Sequence, residues 1–141
     1  MSKKEIVTIT IDSEKTAQDV ADIMVRKRVG SVIVIDRKGQ YYGIITERDM
    51  VKRVCQKNVG ASRIKVEEIM SSPLITIMSY DSVDTASRIM TKNKIKRLVV
   101  LEADNRIAGL LSVTDITKHL AEILLNDYNR YRALRFAVDL T

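Results

Sequence analysis

The order of apolar and polar positions predicts the same succession of elements twice along the chain. Each copy opens with a short β-rich run, residues 6–11 or 74–77, which favours a strand. Apolar residues at helical spacing follow, and a continuous aliphatic run, residues 32–35 or 98–101, then predicts a buried strand. A polar turn, a second strand and a second helix end each copy. We therefore predict two β-α-β-β-α units.

One offset of 66 residues, from Gly43 to Gly109, relates the two copies without a gap. Residues 43–49 align with residues 109–115, and Val34 aligns with Val100. Apolar positions keep their character almost throughout, and chance similarity does not hold one register over so much of a unit. The chain is therefore an internal duplication, which is the signature of a repeat architecture.

The duplication predicts an α+β fold of the α/β sandwich-like kind. Neither unit can bury both faces of its own sheet, so we expect the two copies to pack sheet to sheet about a pseudo-twofold axis. The predicted organisation is a first repeat over residues 1–56, a linker with a short helical piece over 57–73, a second repeat over 74–124 and a C-terminal helical extension over 125–141.

The composition is that of a folded protein with an aliphatic core. Hydrophobic residues make up 45% of the 141 positions and aromatic residues only 4%. The single cysteine, Cys55, excludes an internal disulfide, fits a reducing compartment and is expected to be a small core residue. Without an apolar run long enough for a membrane span, or the pattern of a signal peptide, we expect a cytoplasmic protein and no membrane partner.

The net charge of +6 raises the hypothesis of a nucleic-acid partner. The basic residues are scattered, however, and the densest cluster, residues 26–28, falls where a helix is predicted to end and where cations complement the helix dipole. The scarcity of aromatic residues for base stacking also weighs against this hypothesis. Net charge alone supports some anionic partner.

Both copies carry the motif Gly-h-h-(Thr/Ser)-x-x-Asp, in which h is aliphatic. One interpretation is helix capping, since Thr46 or Ser112 would cap a helix and Asp49 or Asp115 would complete a capping box. The other is nucleotide binding. A helix N-terminus presents backbone N–H groups to a phosphate, and a carboxylate one turn along is placed to accept from ribose hydroxyls. The residues leave both interpretations open.

Taken together, the duplicated unit, its two motifs and the segment Val66-Glu67-Glu68-Ile69-Met70 resemble a tandem cystathionine-beta-synthase (CBS) domain pair, or Bateman module. The resemblance spans about residues 5–124. Residues 96–100 and 109–115 are similar to the nucleotide-sensing repeats of the gamma subunit of AMP-activated protein kinase.

The resemblance implies a regulatory module that binds AMP, ADP, ATP or a related adenosyl ligand in two clefts between the copies, with no cofactor required. One cleft would be formed by Lys96, Arg97, Ser112, Thr114 and Asp115, together with Ile11, Ser13, Val29, Gly30 and Ser31 of the first copy. The pseudo-symmetric cleft would use Thr46, Arg48 and Asp49 with Ile77, Ser79 and Ile95. An effector protein that the module regulates is a further expected partner.

The two implied clefts differ in charge. Lys96 and Arg97 stand where the first copy has the uncharged pair Gly30-Ser31, so the cleft that contains Asp115 ranks first for phosphate binding. In the other cleft Arg48 would be the substitute cation, since the second copy has Thr114 at that position. The alternative interpretation of Lys96 and Arg97 is an exposed entrance to a strand.

Catalysis finds no support in the sequence, and we predict no enzyme. His119 is the only histidine, so a Cys-His nucleophile would need Cys55, and nothing in the spacing brings the two together. One Cys and one His also provide no ligand cluster for zinc. Apolar residues in the second helix of each copy exceed what a small core needs, which predicts a homodimer through four such helices. They are Met50, Val51 and Val54, and Ile116, Leu120 and Ile123. A dimerisation scaffold without ligand is the remaining hypothesis.

Overall fold

The computed structural model describes residues 6–11 and 14–125, and the chain divides into two compact units, Met1–Thr76 and Ile77–Thr141. The elements of the first are β1 (Thr8–Thr10), α1 (Ala17–Lys27), β2 (Ser31–Ile35), β3 (Tyr41–Thr46), α2 (Glu47–Arg53), two 3₁₀ turns (Cys55–Lys57 and Ala61–Arg63) and α3 (Val66–Ile69). Those that follow are β4 (Thr76–Met78), α4 (Val83–Asn93), β5 (Arg97–Leu101), β6 (Ile107–Ser112) and α5 (Val113–Leu125).

Each unit contains one three-stranded sheet, in the order β1-β2-β3 and β4-β5-β6. Strand β1 runs parallel to β2, because α1 crosses over between them, whereas the tight turn between β2 and β3 makes that pair antiparallel. Strands β5 and β6 pair antiparallel in the same way. The predicted α+β fold with two β-α-β-β-α units is confirmed, while packing of one sheet on the other stays a prediction.

The 66-residue offset extends to the irregular positions of the backbone. Arg28 and Lys94 both end their helices in the left-handed region, at φ 53° and 54°. In the turns between the antiparallel strands Gly39 and Asn105 also have positive φ, at 82° and 65°. Glycine and asparagine are the residues that tolerate this conformation best. Sequence duplication has therefore preserved the turns and caps as well as the regular elements.

The core of the first unit is aliphatic, as the composition predicted. Its buried members are Ile9, Ala17, Val20, Met24, Val32, Val34, Ile45, Val54, Ile64, Val66 and Ile69. Complete burial of one such aliphatic side chain contributes roughly 1.5–3 kcal/mol. Because Ile64, Val66 and Ile69 belong to this cluster, the linker segment that carries them packs as part of the first unit.

Several expectations from the sequence are wrong in detail. Strands β1 and β4 are shorter than the β-rich runs that predicted them. Cys55 is exposed, because it begins a 3₁₀ turn after α2 instead of continuing the helix face. Val54 is only 5% exposed and Met50 packs against the core, so neither belongs to a surplus apolar surface. The predicted extension beyond Leu125 lies outside the described residues.

Candidate functional site

In the first repeat the motif forms a reciprocal capping box where β3 meets α2. The backbone N–H of Thr46 donates to Oδ2 of Asp49 at 2.9 Å, and the N–H of Asp49 donates to Oγ1 of Thr46 at 3.3 Å. The hydroxyl of Thr46 donates to the same Oδ2 at 3.1 Å. These bonds satisfy donors that a helix N-terminus otherwise leaves without partners. The capping interpretation of Asp49 is confirmed.

The second repeat builds the same box where β6 meets α5. Ser112 donates to Oδ2 of Asp115 through its N–H and its hydroxyl, both at 2.9 Å, and receives the N–H of Asp115 on Oγ at 3.1 Å. Thr16 and Asp19 make an equivalent box at the start of α1, outside the shared motif. Capping geometry therefore does not by itself mark a ligand site.

The segment that precedes the middle strand of each sheet lies beside the motif of the same unit. Ser31 is paired with Thr46 across β2 and β3, and Arg97 is paired with Ser112 across β5 and β6. The carbonyl of Gly30 accepts from the N–H of Glu47 at 3.1 Å, as the carbonyl of Lys96 accepts from Val113 at 2.9 Å. Residues that lie far apart in sequence thus meet at each helix N-terminus.

This pairing gives the two helix N-termini different charges. In the second unit Lys96 is exposed and Arg97 partly exposed, directly beside the Ser112 cap. Within the described part of the chain neither side chain forms an ion pair. The corresponding neighbours of Thr46 are Gly30 and a buried Ser31, which carry no charge. Cations adjoining a helix N-terminus are suited to holding a phosphate.

The two motif carboxylates also differ in their surroundings. Asp49 is buried, with 7% of its surface exposed, and its Oδ1 accepts from the hydroxyl of Ser71 at 2.9 Å. Asp115 is partly exposed. Ser71 was not among the residues that the sequence singled out. It lies 22 positions from Asp49, and no local pattern marks such a contact.

The other residues of the predicted sets lie partly in the interior and partly at the surface. Ile77 is buried, and Ile11 and Val29 are partly buried against the core of the first unit. The hydroxyl of Ser79 donates to Oε2 of Glu102 at 2.8 Å, and Ile95 donates its N–H to the carbonyl of Met90. Arg48 and Thr114 are exposed at the starts of α2 and α5. Ser13 lies outside the described residues, and the grouping of residues from both repeats into clefts stays a prediction.

Neither a metal-binding cluster nor a membrane-spanning helix occurs in the part of the chain that the structure describes. Residues 6–11 and 14–125 contain no group of three or more His, Cys, Asp or Glu side chains that could hold a metal ion. No helix in the same ranges has the length and hydropathy needed to cross a bilayer.

A family comparison matches both repeats. The CBS domain model matches residues 1–55 and again residues 66–122. This chain belongs to the CBS domain family. The repeat, its shared motif and the linker segment that carried the resemblance all lie within these two matches, so the recognition of a tandem CBS pair is confirmed.

Similar sequences occur both in short proteins and in a much longer enzyme. The uncharacterized protein MK0525 of Methanopyrus kandleri is 32% identical over 108 residues, which is 77% of this chain and 55% of that protein. The inosine-5'-monophosphate dehydrogenase of Helicobacter pylori is 33% identical over 127 residues, which is 88% of this chain but only 25% of the dehydrogenase. The chain thus spans about half of the first relative and a quarter of the second.

Solved structures of CBS proteins share the fold. The CBS domain pair of protein MJ0100, solved with 5'-methylthioadenosine and S-adenosyl-L-methionine, has a TM-score of 0.70 and 25% identity, covering 84% of this chain and 93% of that chain. The CBS domain protein PAE2072 from Pyrobaculum aerophilum, complexed with AMP, has a TM-score of 0.69 and 24% identity, covering 95% and 94%. At 24% identity the second likeness establishes the fold alone.

Proposed function

We propose that this CBS pair is a regulatory module that binds an adenosyl ligand at the Asp115 motif. The observation that carries the proposal is the position of Lys96 and Arg97 beside the Ser112 cap at the N-terminus of α5. Two cations and a helix N-terminus together favour phosphate, and a partly exposed carboxylate one turn along can accept from ribose hydroxyls. Ser112 and Thr114 supply hydroxyls at the same helix start.

The adenosyl class is supported by the relatives. The CBS pair of MJ0100 was solved with two adenosyl compounds, and its likeness to this chain extends over 84% of the residues. AMP, ADP and ATP add the phosphates that Lys96 and Arg97 favour. No cofactor is required for such a role, and the regulated effector is a separate protein or domain.

Adenine nucleotides are expected to raise the melting temperature of the protein. A ligand present at 100 times its dissociation constant adds about 2.7 kcal/mol to the free energy of unfolding, because it binds only the folded state. Differential scanning fluorimetry with AMP, ADP, ATP, S-adenosylmethionine and GTP measures this shift, and the guanine nucleotide should give the smallest one.

Titrating the protein with an adenine nucleotide and with an oligonucleotide, each at two salt concentrations, separates this module from a nucleic-acid binder. Oligonucleotide affinity falls steeply with salt when many phosphates are bound, whereas one nucleotide makes few such contacts. If no adenosyl compound at millimolar concentration shifts the melting temperature, the sensor proposal is wrong and a dimerisation scaffold remains.

We also propose a homodimer that uses the exposed apolar residues of α2 and α5. Val51 is 61% exposed and Leu120 is 52% exposed, so both are available to a partner chain. Light scattering at micromolar concentration should give the mass of a dimer. Val51→Glu and Leu120→Glu should each shift the mass toward the monomer, because a buried charge opposes association.

Val25→Glu is the matched control for the dimer, since Val25 is 80% exposed on α1, which is not a proposed contact. This variant should keep the dimer mass. A monomeric wild-type protein, or equal loss of the dimer in all three variants, would contradict the proposed interface.

A further inference from the structure

The end of the linker is held on the first unit by bonds to two of its elements, β3 and α2. Ile44 of β3 and Ser71 exchange backbone bonds, with Ile44 N–H donating at 3.0 Å and Ser71 N–H donating at 2.8 Å. Nη1 of Arg53, at the end of α2, donates to the carbonyl of Met70 at 2.6 Å and to that of Ile69 at 3.3 Å. Residues 69–71, which we call the linker clasp, are thus fixed through backbone atoms.

The glycine of the first motif makes room for this clasp. A Cβ atom at Gly43 would lie 2.6 Å from the carbonyl oxygen of Ser71, a distance that real Cβ atoms essentially never show. At the equivalent Gly109 no atom of residues 6–11 or 14–125, its two chain neighbours aside, lies within 4 Å of such an atom. Close packing against the clasp therefore requires a glycine at position 43, whereas no such contact requires one at position 109 in the described part of the chain.

The carboxylate of Asp49, in the first motif, also binds the clasp. Its Oδ2 accepts two bonds from Thr46, and its Oδ1 accepts the hydroxyl of Ser71 at 2.9 Å. With Asp49 only 7% exposed, a ribose diol could reach this carboxylate only by displacing Ser71 and uncovering the side chain. The free-energy cost of breaking this partly buried hydrogen bond to a charged group opposes that exchange.

We infer that Asp49 anchors the linker clasp through Ser71 and does not bind a ribose, and that Ser71 is the positioning residue which withholds this carboxylate. On the proposed adenosyl function, on which this inference rests, each chain then binds one ligand, at the Asp115 motif. The two copies of one motif have divided two tasks, with ligand binding in the second repeat and linker anchoring in the first.

The first experiment follows the clasp by limited trypsin digestion of the full chain. The linker contains three exposed trypsin sites, Lys57, Arg63 and Lys65. Because the neighbouring Ile64, Val66 and Ile69 are buried in the core, cleavage at these sites reports local opening of the linker. Ser71→Ala and Asp49→Ala should each speed linker cleavage about tenfold, since both remove the charge-assisted bond between Ser71 and Oδ1 of Asp49. Asp49→Ala also removes the two bonds from Thr46. Ser72→Ala is the matched control, because Ser72 is exposed one position along, and it should cleave at the wild-type rate.

The second experiment is a calorimetric titration of the same proteins with AMP. Wild type should bind one AMP per chain, and Ser71→Ala and Asp49→Ala should keep that affinity within about twofold. Melting curves check that each variant is folded. If Asp49→Ala does not fold, Ser71→Ala, which leaves the carboxylate in place, tests the inference by itself.

Two results would overturn the inference. These are two AMP molecules per wild-type chain with one lost in Asp49→Ala, or linker cleavage that is unchanged in both Ser71→Ala and Asp49→Ala. A wild-type protein that binds no adenosyl compound would instead refute the proposed function, while the digestion alone would still decide whether Asp49 and Ser71 anchor the clasp.

Discussion

Replacing Asp115 with alanine is expected to weaken adenosyl-ligand binding about tenfold or more. The substitution removes a charged acceptor for the ribose hydroxyls, and loss of such a bond costs on the order of 1.5–3 kcal/mol. Calorimetric titration with ATP and with adenosine measures the change. In the same titrations Arg97→Ala should weaken ATP more than adenosine, because the proposed partner of Arg97 is phosphate.

Asp19→Ala is the matched control for helix capping. Asp19 completes the same kind of capping box with Thr16 at the start of α1, and no ligand role is proposed for it. Its loss should lower the free energy of unfolding by about 0.5–2 kcal/mol, as losing a cap does, and leave affinity unchanged. If Asp115→Ala also loses only stability, the second motif is a helix cap and not a ligand site.

A methyl group added at Gly43 is expected to destabilise the first unit by about 1–3 kcal/mol, the usual cost of forcing an atom into a packed site. The new Cβ would collide with a backbone carbonyl, that of Ser71, which cannot rotate away as a flexible side chain could. The chain can relieve this collision by moving β3 away from the linker clasp. Thermal or urea denaturation of Gly43→Ala measures the loss.

Gly109→Ala is the same substitution in the second copy of the motif, where no linker carbonyl lies beside the glycine. Among the described residues no atom beyond the chain neighbours lies within 4 Å of a Cβ at Gly109. Alanine also suits a strand better than glycine does by roughly 0.5–1 kcal/mol. Its stability should therefore equal or slightly exceed that of wild type. Equal destabilisation by the two substitutions would mean that the clasp does not depend on Gly43.

The fold was predictable because its signals are local and occur twice. Helical spacing in residues 17–27, aliphatic runs in the middle strands and polar turns each depend on neighbours a few positions apart. The gapless offset then required both units to share one topology. The capping boxes of Thr46 and Ser112 were predictable for the same reason, since their partners lie three residues away.

By itself, therefore, the sequence determined the duplicated unit, its family and the two candidate motifs, all of which depend on short spacings repeated at one offset. The sequence also showed that the expected neighbours of the two motifs differ in charge, but only the tertiary structure decided that the first motif packs against the linker. The bond from Ser71 to Asp49 joins residues 22 positions apart, and the close approach of Ser71 to Gly43 depends on how the linker returns over β3. Such contacts are set by the path of the folded chain, and the same seven-residue pattern therefore occurs in two different environments.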